Sequence, residues 1–304
     1  MSVPDSCAHT LISVIMPCYN YSEYVGEALR SVLAQDHESF ELIVVDDGSS
    51  DDSVEVIKDT IAQWRPSSRV RRVELICQRN SGVSAALNSG LAVARGRFIA
   101  TFDADDIMAV GRLRVQSDYL LTHPEVGCLG GDAVRIDENS QSLPKKHKYR
   151  PVRRYDFNQA LDSALVVGGG VAFFRRDAMD LAGGYDPEIK IQDFQMTLKV
   201  AHAGYAIDVI PEVVTLYRKH PDSLSSNYLL EYESGLRVIE PYADNPAYGS
   251  ARAKLVVKAL RRAVTEDKAL AWSLVREVPP KYWNTQFLRR LRHLLFKKTQ
   301  IQQR

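Results

Sequence analysis

Four short apolar runs in the first hundred residues each close in a polar loop, and this repetition is what most constrains the fold. Leu11-Ile12-Ser13-Val14-Ile15-Met16 leads to Pro17, which is expected to stop the strand, and then to the loop Cys18-Tyr19-Asn20-Tyr21. Phe40 to Val45 ends in Asp46-Asp47, with Gly48 for the sharp turn and Ser49 to Asp52 as cap and first-turn acids of a helix reaching about Trp64. Val70 to Cys77 leads to Asn80-Ser81-Gly82-Val83-Ser84. Phe98-Ile99-Ala100-Thr101-Phe102 runs straight into Asp103, Asp105 and Asp106. Between the runs, Tyr24 to Ala34 carries helical spacing, and Ala85 to Ala94 reads as a helix rich in small residues, closed by Arg95-Gly96. Strands alternating with helices across short turns imply parallel βαβ units in an open sheet. Such sheets bind ligands outside the carboxyl ends of their strands, where these polar loops fall.

Three carboxylates crowded at one strand end repel unless something positive sits among them. A hard divalent cation with oxygen ligands, Mg²⁺ or Mn²⁺, is the natural partner. The alternative is an acidic turn that caps the next helix.

The second half is less regular. Arg112 to His123 reads as a helix, Val126 to Gly131 as a short strand, and Glu138 to Arg154 as a mobile, polar and basic loop. Leu165 to Phe174 is apolar around Gly168-Gly169-Gly170, a place for close approach of a ligand or for a β-bulge. Gln192-Asp193 opens a helix to about Ala203, Val213 to Tyr217 is a strand into Arg218-Lys219-His220, and the chain is helical after about Tyr228. Residues 1–226 are expected to form one domain and 227–304 a helical extension.

Cysteines at 7, 18, 77 and 128 form no CxxC pair, which fits reduced thiols rather than a disulfide frame or a zinc site. No signal peptide and no apolar stretch near ~20 residues is found, so a cytoplasmic location is expected. Residues 281–304 hold seven Lys or Arg and no acid, whereas the rest of the chain is net acidic within a total of +1. Trp283, Phe287, Leu288, Leu291, Leu294, Leu295 and Phe296 recur there at helical spacing among the cations. This is a basic amphipathic helix for an anionic membrane surface, or one packed on its own body or on a second copy in a homodimer. An acidic body without a recognised module argues against nucleic acid.

Ser13-Val14-Ile15-Met16-Pro17-Cys18-Tyr19-Asn20, Val45-Asp46-Asp47-Gly48-Ser49-Ser50-Asp51, Asn80 to Ser84, Asp103-Ala104-Asp105-Asp106, Gly184-Tyr185-Asp186, Gln192-Asp193 and Tyr217-Arg218-Lys219-His220 stand in one order. As an ordered set, over roughly 13–226, they resemble the family 2 glycosyltransferases. The resemblance implies a GT-A fold, an α/β Rossmann-like, mostly parallel sheet flanked by helices. It implies inverting, metal-dependent transfer from a UDP- or dTDP-sugar to a hydroxyl of a glycan or glycolipid, in cell-surface polysaccharide biosynthesis. By the same resemblance Pro17 and Tyr19 would lie beside base and ribose, and Asp47 would accept the base N3–H while Asp46 or Asp47 caps. Asp105 and His220 would hold the metal, Asp103 would face ribose or sugar, and Asp106 would support the loop. Arg218 would approach the diphosphate, Asn20, Ser84 and Ala104 would complete the donor site, and Asp193 would be the catalytic base. The family's usual Glu before that base is Gln192 here, which removes a neighbouring charge. A catalytically inactive nucleotide-sugar-binding module is the competing reading. The Gly-rich loops of dehydrogenases and nucleotidyltransferases are absent after the first strand.

Overall fold

A computed structural model of the chain describes residues 10–64, 70–144, 150–220 and 227–296. They divide into two compact units, 1–157 with 165–221, and 158–164 with 222–304.

The larger unit is built on a nine-stranded mixed sheet. Its first half is parallel, in the order β3 (Val70–Cys77), β2 (Phe40–Asp46), β1 (Ile12–Cys18), β4 (Phe98–Thr101). Helices α1 (Val25–Leu33), α2 (Ser53–Gln63) and α3 (Val83–Val93) make the crossovers. Every residue of β2 and β4 is buried, as their continuous apolar runs require. The chain moves outward from β1 to β2 and β3, then returns to β4 on the other side of β1. A crevice therefore opens between the ends of β1 and β4.

Pro17 does not stop the first strand. It pairs with Val45, and Cys18 pairs with Asp46. Pro17 shares the parity of Ile15, whose carbonyl faces β4, and the β1–β4 ladder ends at Thr101. The donor that proline lacks would have pointed past the end of the neighbouring strand.

The second half of the sheet is longer than its sequence suggests. After β5 (Ile107–Met108) and α4 (Arg112–Thr122), β6 runs Val126–Ile136 and pairs in parallel with β9 (Ala206–Arg218). The register jumps from Gly130–Val209 to Asp132–Val213, and Pro211 sits in that bulge. Within the expected loop 138–154, Ser142 bridges to Ile136 and β7 (Arg153–Tyr155) pairs with β9; residues 145–149 lie outside the described chain. Helix α5 (Phe157–Ser163) follows. Strand β8 (Phe173–Arg175) inserts antiparallel between β4 and β6, and α6 (Arg176–Ala182) and α7 (Gln192–His202) complete the unit.

The smaller unit is helical, with α8 (Tyr228–Ile239), α9 (Tyr248–Glu266), α10 (Lys268–Glu277) and α11 (Thr285–Phe296) around Val256, Leu260, Ala263, Leu274 and Phe287. Asp162 and Asn158 join it through Lys254 at 2.5 Å and Asn245 at 2.8 Å.

The ring of Phe98 is fully buried, with the Phe173 ring 5.6 Å away. Phe98→Ala should cost about 3–5 kcal/mol, read from urea unfolding followed by a probe in the larger unit. A loss under ~1 kcal/mol would show that the cavity is absent.

Candidate functional site

The chain leaves β4 at Thr101, and Phe102 N–H still donates to the Ile15 carbonyl at 3.0 Å. It then crosses to β5, which pairs with the far end of β9. Asp103, Asp105 and Asp106 fall in this crossing, and oxygens of all three lie within 4.8 Å of one another.

Beneath them is a buried guanidinium. Arg112, 1% exposed, donates to the carbonyls of Gly170 (2.6 Å), Thr101 (3.2 Å) and Ala172 (3.1 Å) and to Thr215 Oγ1 (3.0 Å). Its Nε donates to Gln116, and the Phe102 ring lies 5.5 Å away. Burial pulls its pKa down to about 10, against the pull of Asp103 and Asp106. Burial, then the charges of Asp105 and Asp193, raises Asp103 to about 7 despite Arg112. Burial and the other two carboxylates raise Asp106 well above the usual range.

Asp106 Oδ1 accepts from the Arg218 backbone N–H at 2.8 Å, whereas its Oδ2 is buried without a partner. That orphaned oxygen, among three hard carboxylates, fits a divalent cation. The glycine triplet makes room for the cluster. A Cβ on Gly170 would stand 2.6 Å from Asp106 Oδ2 and 2.9 Å from Asp103 Oδ2. The triplet is thus a turn against carboxylates rather than a bulge in a strand, with Thr101 Oγ1 bonded to the Gly169 carbonyl.

His220 Nε2 lies 2.9 Å from Asp105 Oδ2, and its ring lies against those of Tyr21 and Tyr24, at 5.7 and 5.2 Å. Arg218 departs from its expected place by the diphosphate. It is 1% exposed and turned inward, bonding the Asp105, Asp137 and Glu138 carbonyls, Ser140 and Glu27 (2.7 Å), beneath the Tyr24 ring at 4.8 Å. A cation so enclosed braces the acidic loop from behind.

At the end of β1, Tyr19 is 46% exposed and Pro17 half-buried. Asn20, at φ 56°, joins this loop to the next by accepting from Ser50 N–H (2.8 Å) and donating its own N–H to Ser49 (2.9 Å). Asp46 serves the turn, its Oδ2 accepting from Gly48 and Ser49 N–H at 3.1 Å. Asp47 accepts from Gln78 Nε2 (2.7 Å), Ser81 N–H (2.9 Å) and Gly82 N–H (2.7 Å). A carboxylate has about four acceptor positions, so one remains, on Oδ2.

Two expected donor contacts turn away from the crevice. Ser84 is 1% exposed and donates to the Ile189 carbonyl at 2.7 Å. The Ala104 methyl is buried in the hydrophobic core, leaving only its backbone for a donor.

Asp193 lies in the first turn of α7, where the helix dipole favours a negative charge. Its Oδ2 stands 4.0 Å from where a Gly168 Cβ would be, and Gln192 Nε2 is 3.3 Å from the same point on Gly169. The Gly168–Gly170 turn therefore has the acidic cluster against Gly170 and the Gln192-Asp193 pair against its earlier residues. Sequence reasoning missed Arg112. Its signal was a cation in the first turn of a helix, against the dipole, beside buried Leu113.

The sequence profile described as Glycosyl transferase family 2 matches residues 13–181. An uncharacterized glycosyltransferase of Methanocaldococcus jannaschii is 29% identical over 216 residues, 68% of this chain and 70% of its own. The amylovoran biosynthesis glycosyltransferase AmsE of Erwinia amylovora is 25% identical over 71% of this chain and 79% of its own. Among solved structures, S. aureus TarS 1-349 in complex with UDP-GlcNAc aligns with TM-score 0.65 at 18% identity, over 89% of this chain and 82% of that one. Mannosyltransferase PcManGT of Pyrobaculum calidifontis, in complex with GDP-Man and Mn²⁺, aligns with TM-score 0.58 at 20% identity, over 96% and 88%. With its parallel β3-β2-β1-β4 half-sheet and the acidic crossing that follows β4, the chain belongs to glycosyl transferase family 2 and has the GT-A fold.

Proposed function

We propose that this glycosyltransferase moves a sugar, with inversion, from a nucleoside-diphosphate donor to a hydroxyl of a glycan or glycolipid, in cell-surface polysaccharide synthesis. The observation that carries the reading is the Asp103–Asp105–Asp106 cluster with its orphaned Asp106 oxygen, across the Gly168–Gly170 turn from Asp193. The likeness to AmsE and to an E. coli chondroitin synthase, 27% identical over 64% of this chain and 27% of its own, supports a polysaccharide product.

Asp105, with His220 beside it and Asp106 behind it, would hold Mn²⁺ or Mg²⁺. When bound, that ion supplies positive charge to the departing diphosphate. Asp193 takes the proton of the acceptor hydroxyl as that oxygen bonds to C1 of the sugar. The bond from C1 to the diphosphate oxygen breaks, and its electron pair leaves with the nucleoside diphosphate. The remaining acceptor position of Asp47 suits the N3–H of uracil or thymine. Neutral Gln192 removes the acid next to Asp193 in sequence, leaving Asp103 across the glycine turn as a charge that Asp193 acts on.

A screen of UDP-, dTDP- and GDP-sugars with Mn²⁺ tests the reading by nucleoside diphosphate release. Asp105→Asn should abolish release, and Asp193→Asn should cut kcat by at least ~10²-fold with donor affinity kept. Donor binding without turnover by the parent chain would mean a nucleotide-sugar-binding module instead. Full activity in Asp105→Asn would remove the metal assignment.

Acid should also matter. Asp103 and Asp106 keep protons in the folded, metal-free chain that they release on unfolding. The folded state then binds more protons, so these carboxyls lower stability as pH rises from about 4 toward about 7. A cation needs the ionised carboxylates, so the rise in Tm with Mn²⁺ should be larger near pH ~8 than near ~5.5. An equal or larger rise at the acid end would contradict the cluster as the binding site.

We further propose a peripheral place on an anionic membrane surface. No helix among the described residues is long and apolar enough to cross a membrane. Phe287, Leu291 and Leu294 of α11 turn into the smaller unit's core, so the expected stripe is narrower than its sequence suggests. Leu288, Leu295 and Phe296 remain 49%, 55% and 80% exposed on another side. Cations of α9 are matched by acids, as in Arg252–Glu277, Lys258–Glu231 and Arg262–Glu266. Among the described residues, no ion pair engages Arg289, Arg290 or Arg292; Lys297, Lys298 and Arg304 lie outside them. Leu288, Leu295 and Phe296 all changed to Ser should release the chain from phosphatidylserine vesicles and leave donor hydrolysis intact. A parent chain that ignores those vesicles at low salt would defeat the membrane reading.

A further inference from the structure

Helix α3 has polar partners at two places. At its N-terminus Gly82 N–H donates to Asp47 Oδ2 at 2.7 Å. About two turns further, Ser89 Oγ donates to Gln78 Oε1 (2.6 Å), and Gln78 Nε2 in turn donates to Asp47 Oδ1 (2.7 Å). Another face of the helix meets the turn that precedes Asp193. Ser84 Oγ donates to the Ile189 carbonyl at 2.7 Å, in a buried position. Asn88 grips Tyr185 from both sides, Nδ2 donating to its carbonyl at 2.8 Å and Oδ1 accepting from its N–H at 3.0 Å.

The helix itself has little freedom. Gly90 lies so close to β1 that a Cβ there would stand 2.4 Å from Ile15 Cγ2. The turn has its own ties to α7, from Gln195 to Asp186 N–H and from Lys199 to the Gly184 carbonyl. Those ties move with the helix that carries Asp193. The bonds of Ser84 and Asn88 fix the turn to a different element.

We propose that Ser84 and Asn88 are the positioning residues of Asp193, so that α3 sets the catalytic carboxylate relative to the nucleoside end of the site. The inference rests on the reading of Asp193 as the base. Ser84 then serves transfer without touching the donor, which accounts for a hydroxyl turned away from the crevice. A misplacement of a reacting group by about 1 Å is enough to cost on the order of 10²-fold in rate. Loss of two hydrogen bonds from a turn that stays folded should cost less.

The test uses the full chain with Mn²⁺ and the fastest-hydrolysed of UDP-glucose, UDP-galactose, UDP-N-acetylglucosamine, dTDP-rhamnose and GDP-mannose. Asn88 is half-buried in a helix, where alanine is a better helix former, so Asn88→Ala should fold. Its kcat should fall about tenfold while the donor KM changes less than about twofold, the signature of a misplaced base rather than lost binding. Amide exchange should quicken at Tyr185 to Asp193 and stay unchanged in α3 and along β1. Ser84→Ala should show the same pattern more weakly. Unchanged exchange in the turn, an unchanged kcat, or a loss confined to KM would overturn the inference. Full turnover in Asp193→Asn would overturn the base assignment beneath it.

Discussion

Repulsion among three carboxylates held within 4.8 Å is the force that the rest of the larger unit is arranged to contain. Arg112 opposes it from inside the core, and its five bonded neighbours fix the turn of glycines, the end of β4 and the start of β8 at one point. Arg218 braces the acidic loop from the other side, its backbone N–H bonding Asp106 and its guanidinium bonding backbone carbonyls and Glu27. Both guanidiniums are nearly inaccessible, and the Arg112 charge acts on Asp103 and Asp106 without the screening a surface cation would meet. They hold the acids together yet leave Asp106 Oδ2 without a partner. The site is therefore braced and still under-neutralised, which is the condition a divalent cation relieves.

What the sequence disclosed follows the local physics. Strands β1, β2 and β4 are buried on both faces, β3 is the half-buried edge strand, and their helices are short crossovers, so apolar runs and turn residues mark them plainly. Strands β6 and β9 were read short because Gly130, Gly131 and Pro211 interrupt the pattern. The interruption is a bulge, and only the partner strand reveals it. Strand β8 was hidden in the apolar run after the glycine triplet. Its role comes from pairing with β4 and β6, some 75 and 45 residues earlier.

The acids of the site were legible because unpaired like charges at a strand end are costly wherever they fall. The cations were not, because a sequence states the sign of a charge and not its depth. Arg218 was placed with the ligand and is part of the wall; Arg112 drew no notice and lies at the centre. Depth is equally hidden at Ser84 and Ala104. Their neighbours on the chain border the crevice, but the side chains point into the protein.

The smaller unit draws on two stretches of chain, and this bears on how the molecule is made. Asn158 and Asp162 find their partners in Asn245 and Lys254, 87 and 92 residues later. On a ribosome, the segment around α5 emerges well before the helices that receive it. The strands β8 and β9, which belong to the other unit, are synthesised in between. The nascent chain must therefore carry α5 without the partners of Asn158 and Asp162 while the strands on either side of it join the sheet. A graft that exchanged only the C-terminal helices for those of another protein would leave that helix facing a stranger.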